Sequence, residues 1–192
     1  MFRLLAFGPA VVASAGALAE PVGQVERYGE AYKVSVRLFV QSERVVVWRV
    51  LTDYENLFRF VPGLRSSRIV SPPGEPMLLE QKSEGGLLFV KVATETVSRI
   101  KELPMQTIQF ELVGGTLKSM RGEWSIDTHD HAISVSYHAE IVPGFALPPL
   151  IGSVVMSRSV KVMVEGVTRE INRRTVLKTG QGSKEPQVAA AQ

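Results

Sequence analysis

Between residues 64 and 141 the chain repeats one pattern, short runs of alternating apolar and polar residues, each closed by a turn signal. Val90, Val92, Thr94 and Thr96 are two residues apart, and so are Ile108, Phe110 and Leu112. Met120, Gly122, Trp124 and Ile126 follow, then Ile133, Val135, Tyr137, Ala139 and Ile141. A period of two puts such residues on one face of a strand. The closures are Pro72-Pro73-Gly74-Glu75-Pro76, Glu84-Gly85-Gly86, Glu102-Leu103-Pro104-Met105, Gly114-Gly115 and Thr128-His129-Asp130. They are too short for crossover helices, so the strands they join must be antiparallel neighbours. Strands are expected at 64–71, 77–83, 87–101, around 108–112, at 118–127 and at 133–141. Residues 32–40 alternate in the same way and add a strand at the front.

Two other periodicities frame this meander. Val46, Val47, Val50 and Leu51 form a helical stripe, with Ser42 as its N-cap and Glu43 in its first turn, where the helix dipole favours negative charge. A second short helix starts at Asp53-Tyr54-Glu55, carries Leu57, Phe58 and Phe60, and ends at Pro62-Gly63. After the break Pro143-Gly144-Phe145-Ala146-Leu147-Pro148-Pro149, residues 150–175 give the longest helical pattern of the chain. Met156, Val160, Met163, Val164, Val167 and Ile171 share one face, opposite Arg158, Lys161, Glu165 and Arg169. The expected architecture is α+β. A curved antiparallel sheet of about seven strands wraps this C-terminal helix, and the two short helices follow the first strand. A sheet that wide curls, and only the last helix is long enough to fill its concave side.

The N-terminus reads as a targeting segment. Arg3 precedes a run of apolar and small residues that ends in Ala17-Leu18-Ala19 before Glu20, the pattern of a secretory signal cleaved after residue 19. The run is short of the ~20 apolar residues that a membrane span needs. The expected organisation is a signal peptide at 1–19, a lead-in at 20–30, the domain at 31–176 and a disordered tail at 177–192. The product is expected in the periplasm or outside the cell.

Several chemistries have no residues to support them. There is no cysteine, so disulfides and thiolate metal sites are excluded. A net charge of +3 over 192 residues is no nucleic-acid footprint. The chain contains neither a Gly-x-Gly-x-x-Gly turn, nor a phosphate-binding Gly-Lys-Ser/Thr loop, nor a Gly-x-Ser-x-Gly elbow. No cofactor is expected. His129 and His131 have the spacing of paired ligands, but no third ligand is evident, so they read as a solvated turn and no metal is expected. Asp53 and Tyr54 could do acid–base work, but the pair reads more simply as a helix cap and a packed phenol, and no catalytic residue is assigned. Arg65, Arg68, Lys82, Lys91, Arg99 and Lys101 read as a solvated strand face.

The element order, with a set of local strings, resembles the START-like superfamily of helix-grip fold, in its polyketide cyclase/dehydrase and coenzyme Q-binding branch. The strings are Val47-Trp48-Arg49-Val50-Leu51-Thr52-Asp53-Tyr54-Glu55 and Phe60-Val61-Pro62-Gly63-Leu64. Further along come Lys118-Ser119-Met120-Arg121-Gly122-Glu123-Trp124, Val135-Ser136-Tyr137, Pro148-Pro149-Leu150-Ile151 and Arg173-Arg174. The resemblance implies a hydrophobic cavity, which lipid carriers, quinone binders, polyketide cyclases and ribosome-associated members use differently. The expected function is a non-enzymatic binding protein, monomeric, holding a lipid or isoprenoid quinone. Transient membrane contact is compatible with such cargo. Cavity walls are expected from Phe110, Trp124, Met156, Val160, Met163, Val164 and Val167, and a rim from Phe145, Leu147 and Leu150. The rival activities are an aromatic cyclase or dehydratase in the same cavity, and a protein-interaction module.

Overall fold

The computed structural model describes residues 22–87, 90–129, 132–145 and 149–182. The strands are β1 (Val22–Tyr28), β2 (Ala31–Val40), β3 (Leu64–Ile69), β4 (Leu78–Leu87), β5 (Val90–Leu103), β6 (Thr107–Gly115), β7 (Leu117–His129) and β8 (Ala132–Pro143). The helices are α1 (Arg44–Leu51), a 3-10 helix (Tyr54–Arg59) and α2 (Pro149–Gly182). All eight strands lie in one antiparallel sheet ordered β1-β2-β8-β7-β6-β5-β4-β3. β2 therefore pairs with the last strand, and Val36 stands opposite Tyr137. This is the α+β layout that the alternation predicted.

The alternation decides which face is covered. Val34, Val36, Leu38 and Val40 of β2 are buried beneath the helices, while Lys33, Ser35, Arg37 and Phe39 point outward. The same face carries Ile108, Ile126, Ile133, Val135 and Tyr137, and α2 closes on it with Val160, Val164, Val167 and Ile171. α1 buries Val46, Val47, Val50 and Leu51 in this core. It is fastened across the sheet end by Arg44, whose guanidinium donates to the carbonyls of Met105 and Ile126 at 2.9 Å and to the Thr128 hydroxyl at 2.8 Å.

Gly166 sets how closely α2 approaches the 3-10 helix. A Cβ there would stand 2.3 Å from the Phe60 carbonyl oxygen and 2.7 Å from Pro62, so only hydrogen fits. The adjoining turn of α2 holds an ionic cluster. Glu170 accepts from Arg173 and Arg174 at 2.7 Å, and Arg174 also donates to Asp53 at 2.5 Å.

Five local expectations are corrected. The lead-in is partly a strand: β1 pairs with β2 through the Gly29 turn, where φ is +60°. β1 is an edge strand with much of its surface in water, so it needs no strict alternation, and its period was hard to see. Ser42 is not the N-cap of α1. Glu43 holds that position without a side-chain cap, and the Ser42 hydroxyl meets that of Thr175 at 2.7 Å. Asp53 likewise stands at the N-cap of the 3-10 helix without a side-chain cap, its carboxylate being spent on Asn56 and Arg174. Glu84-Gly85-Gly86 is not a turn, since β4 runs on to Leu87, paired with Val90. α2 continues to Gly182, so residues 177–182 belong to the helix, which Lys178 helps tie to Glu43 at 2.5 Å. The proposed signal at 1–19 and residues 183–192 lie outside the described residues.

Candidate functional site

A cavity of about 510 Å³ lies between the inner face of the sheet and α2. Pockets of ~300–1,000 Å³ hold drug-sized molecules, so this one is large enough for a ligand. Its walls differ chemically. On one side α2 presents Met156, Val160, Met163 and Val167, and β6, β7 and β8 present Phe110, Trp124, Tyr137 and Ile141. The Phe110 and Tyr137 rings stack at 5.8 Å, and Trp124 tilts against Tyr137 at 4.6 Å. Gly122 makes room for that stack, because a Cβ there would come within 2.6 Å of the Phe110 ring. On the other side β4 and β5 present Gln81, Ser83, Thr94, Thr96 and Ser98. One wall is aromatic and aliphatic, the other rich in hydroxyls.

The ionisable groups are few and largely committed. Tyr54 is one of the lining residues, and its hydroxyl donates to Glu102 at 2.5 Å. Burial, followed by that hydrogen bond, pushes the Tyr54 phenol far above its ordinary value. Burial alone does the same to Tyr137. Both therefore stay protonated over the working pH range, poor as bases but intact as donors. Tyr54→Phe is expected to cost about 1 kcal/mol in unfolding free energy, the net worth of one hydrogen bond to a partly solvated acceptor, and urea titration of the two proteins measures it.

Asp53 does not face the cavity. Burial alone would raise its pKa, but hydrogen bonds from Asn56 and Arg174, with the charge of Arg174, outweigh burial and hold the carboxyl below its usual range. Its role is to tie the 3-10 helix to α2, not to exchange protons with a ligand.

Of the residues expected to form the walls, Phe110, Trp124, Met156, Val160, Met163 and Val167 surround this cavity. Val164 does not: it is 1 % exposed and packs in the core. One residue turns an α-helix by ~100°, so Val164 cannot share a direction with Met163. Of the expected rim, only Phe145 has a described side chain. Phe145 is half-buried and not among the lining residues, and the adjoining Gly144 is pressed against Thr116, where a Cβ would meet the carbonyl oxygen at 2.0 Å. Leu147 lies outside the described residues, and of Leu150 only the backbone is described.

The exposed lining residues are instead Pro62, Gly63, Glu84, Gly85, Arg158 and Ser159. Pro62-Gly63 was recognisable as a helix stop, but nothing local indicated that the loop would meet β4. The contact is made by the Glu84 amide donating to the Gly63 carbonyl at 2.7 Å.

The outer face of the sheet carries a larger but charged depression of about 740 Å³, with Lys33, Arg99, Lys101, Arg121, Glu111 and Glu140 on its floor. Ion pairs such as Arg99–Glu111 and Arg121–Glu140 make it a solvated strand face. The two histidines among the described residues do not converge. His129 is exposed opposite Ala132, and His138, further along β8, meets the Ser35 hydroxyl at 3.1 Å. His138 is six positions along the strand from Ala132, a gap of ~20 Å. His131 lies outside the described residues. Among the described residues no group of His, Asp or Glu could hold a metal ion, and no helix is long and apolar enough to cross a membrane.

The profile of one family, polyketide cyclase/dehydrase and lipid transport, matches residues 42–168. No curated protein matches the chain. Among solved structures, the chain resembles the Zhui aromatase/cyclase from Streptomyces sp. R1128 at 18% identity and a TM-score of 0.63, covering 75% of this chain and 95% of that one. It also resembles a STAR-related lipid transfer protein from Xanthomonas axonopodis at 10% identity and a TM-score of 0.64, covering 82% and 97%. A START superfamily protein from Mycobacterium smegmatis follows at 12% identity and 0.62, covering 74% and 99%. At these identities the likeness concerns the fold.

Proposed function

Because this chain belongs to the polyketide cyclase/dehydrase and lipid transport family, we propose that it is an exported, non-enzymatic protein that holds a hydrophobic small molecule, a lipid or isoprenoid quinone, between sheet and helix. The observation that carries this reading is the cavity of about 510 Å³ with Met156, Val160, Met163 and Phe110 in its walls. Removing apolar ligand surface from water at ~25 cal/mol per Å² supplies the affinity. The two methionines are unbranched and polarizable, and adapt to an irregular cargo. A similar lipid transfer protein supports this choice of cargo by analogy. Export rests on the Arg3, apolar run and Ala17-Leu18-Ala19 series.

The cyclase reading draws on the aromatic wall of Phe110, Tyr137 and Trp124 and on the likeness to an aromatase/cyclase. It needs an acid–base pair aimed at the ligand. The titratable lining residues among those described are Tyr54, bound to Glu102; Tyr137, held protonated; and the exposed Glu84 and Arg158. That chemistry favours holding a ligand over transforming it.

Native mass spectrometry of protein taken from its own cells tests both parts. The expected result is a polypeptide beginning at Glu20 with a hydrophobic molecule extractable in near-stoichiometric amount. An intact Met1, or protein without cargo that also binds no lipid or quinone offered to it, overturns the corresponding part.

A further inference from the structure

One buried hydroxyl among the residues that line the cavity has nothing to bond to. Ser98 is 3 % exposed, and its Oγ is buried without a hydrogen-bond partner, the one such side-chain atom among the described residues. Its place on β5 explains why. Thr96, Ser98 and Ile100 point inward together, and Ser98 stands opposite Leu79 on β4 and Leu112 on β6. Neither leucine side chain can accept or donate. The nearby polar pair is closed on itself, with Gln81 donating to the Ser67 hydroxyl at 3.3 Å. The β5–β6 register also slips between Val97 and Ser98. Such bulges re-aim a side chain and interrupt the regular ladder. Ser98 is one of the lining residues, and its Oγ lies just beneath the surface of that wall, at the desolvation cost that an unmade hydrogen bond carries.

We propose that Ser98 is a specificity-determining residue of this cavity, and that the occupant carries a hydrogen-bonding oxygen, a hydroxyl or carbonyl, at the position that meets it. The proposal rests on the binding function proposed above and narrows it. A purely hydrocarbon segment leaves the Ser98 hydroxyl unsatisfied, whereas an oxygenated ring or chain satisfies it. With aromatic residues on the facing wall, the preferred ligand is apolar on one side and oxygenated on the side toward β5. Discrimination by one neutral hydrogen bond amounts to roughly three- to tenfold in affinity.

The test uses two matched probes, 1-hydroxypyrene and 1-methylpyrene, which differ by a hydroxyl in place of a methyl group. Their dissociation constants are measured by equilibrium dialysis at pH 6, where the phenol is neutral, against the wild type and Ser98→Ala. Comparing the two affinity ratios cancels the probes' different solubilities. The expected result is a ratio that shifts against 1-hydroxypyrene by about three- to tenfold in Ser98→Ala, with 1-methylpyrene bound at least as tightly as before.

Unliganded Ser98→Ala should melt at or above the wild-type temperature, because it removes a buried hydroxyl that nothing satisfies. An unchanged ratio with both probes bound overturns the role of Ser98 and leaves the binding function standing. Failure of the wild type to bind either probe overturns both. A variant that melts clearly lower shows that the hydroxyl has a structural partner, and overturns the proposal.

Discussion

Glu170→Gln is expected to lower the unfolding free energy at pH 7 by roughly 2–3 kcal/mol, below the ~3–5 kcal/mol of a fully buried pair because Arg173 is largely in water. Glu170 is only 8 % exposed along its side chain and accepts from two arginines at 2.7 Å. Arg174 carries that contact on to Asp53 and to the ring of Phe60, 5.8 Å away. An amide in place of the carboxylate leaves two guanidinium groups without their shared anion.

The pH dependence follows from the same contacts. The hydrogen bond from Arg173 comes first, then that from Arg174 with the charges of both, and together they overcome burial and lower the Glu170 pKa from 4.5 to about 2. A carboxylate with a depressed folded pKa stabilises fully above its unfolded value and loses that contribution as pH falls through the folded one. The gap between wild type and Glu170→Gln should therefore be constant above about pH 5 and shrink from about pH 4.5 down to 2. Urea midpoints at pH 7, 4 and 2 measure it. A gap of equal size at all three pH values would mean that the carboxylate's charge is not what stabilises.

The other large effect concerns cargo. Val160→Asp should abolish binding of a hydrophobic molecule, because an unpaired carboxylate in the cavity wall must stay hydrated or be desolvated at several kcal/mol. That change could also unfold the domain, so Met163→Trp accompanies it. The indole adds volume without charge, and the cavity has room for it. The variant should keep the wild-type circular dichroism and melting temperature and lose at least about tenfold in affinity, 1.4 kcal/mol. Had α2 packed directly on the sheet, the same replacement would overpack the core at a cost of ~1–3 kcal/mol. A folded Met163→Trp protein that keeps its full cargo would show that the ligand sits elsewhere.

What could be foreseen from sequence divides along physical lines. β2 and β5 to β8 were legible because one face of each is covered, which forces the period of two. α2 was legible because Met156, Val160, Met163 and Val167 recur along one side of a helix. β1 was not, being an edge strand with a polar outer side. The cavity walls on α2 and on β6 to β8 could be named from periodicity, but Val164 could not be separated from Met163 by pattern alone. The rim at Pro62-Gly63 against Glu84-Gly85 depends on the Gly63 carbonyl meeting the Glu84 amide, a contact across some twenty residues that no local signal encodes. Ser98 was invisible for another reason. It occupies an inward position like its neighbours, and only the environment around it shows that its hydroxyl is unmatched.

The pairing of β2 with β8 also governs the order of assembly. β4 to β8 are joined in sequence by hairpins and can zip locally, whereas Val36 must find Tyr137 about a hundred residues further along. Closing so long a loop costs entropy before any contact repays it, and non-local pairing of this kind slows folding. During synthesis β2 must therefore wait, its edge unpaired, until residue 143 has emerged, and α2 can cover the inner face only after that. In that interval Val34, Val36, Leu38 and Val40 are bare, and they are the stretch through which a nascent chain would aggregate or recruit a chaperone.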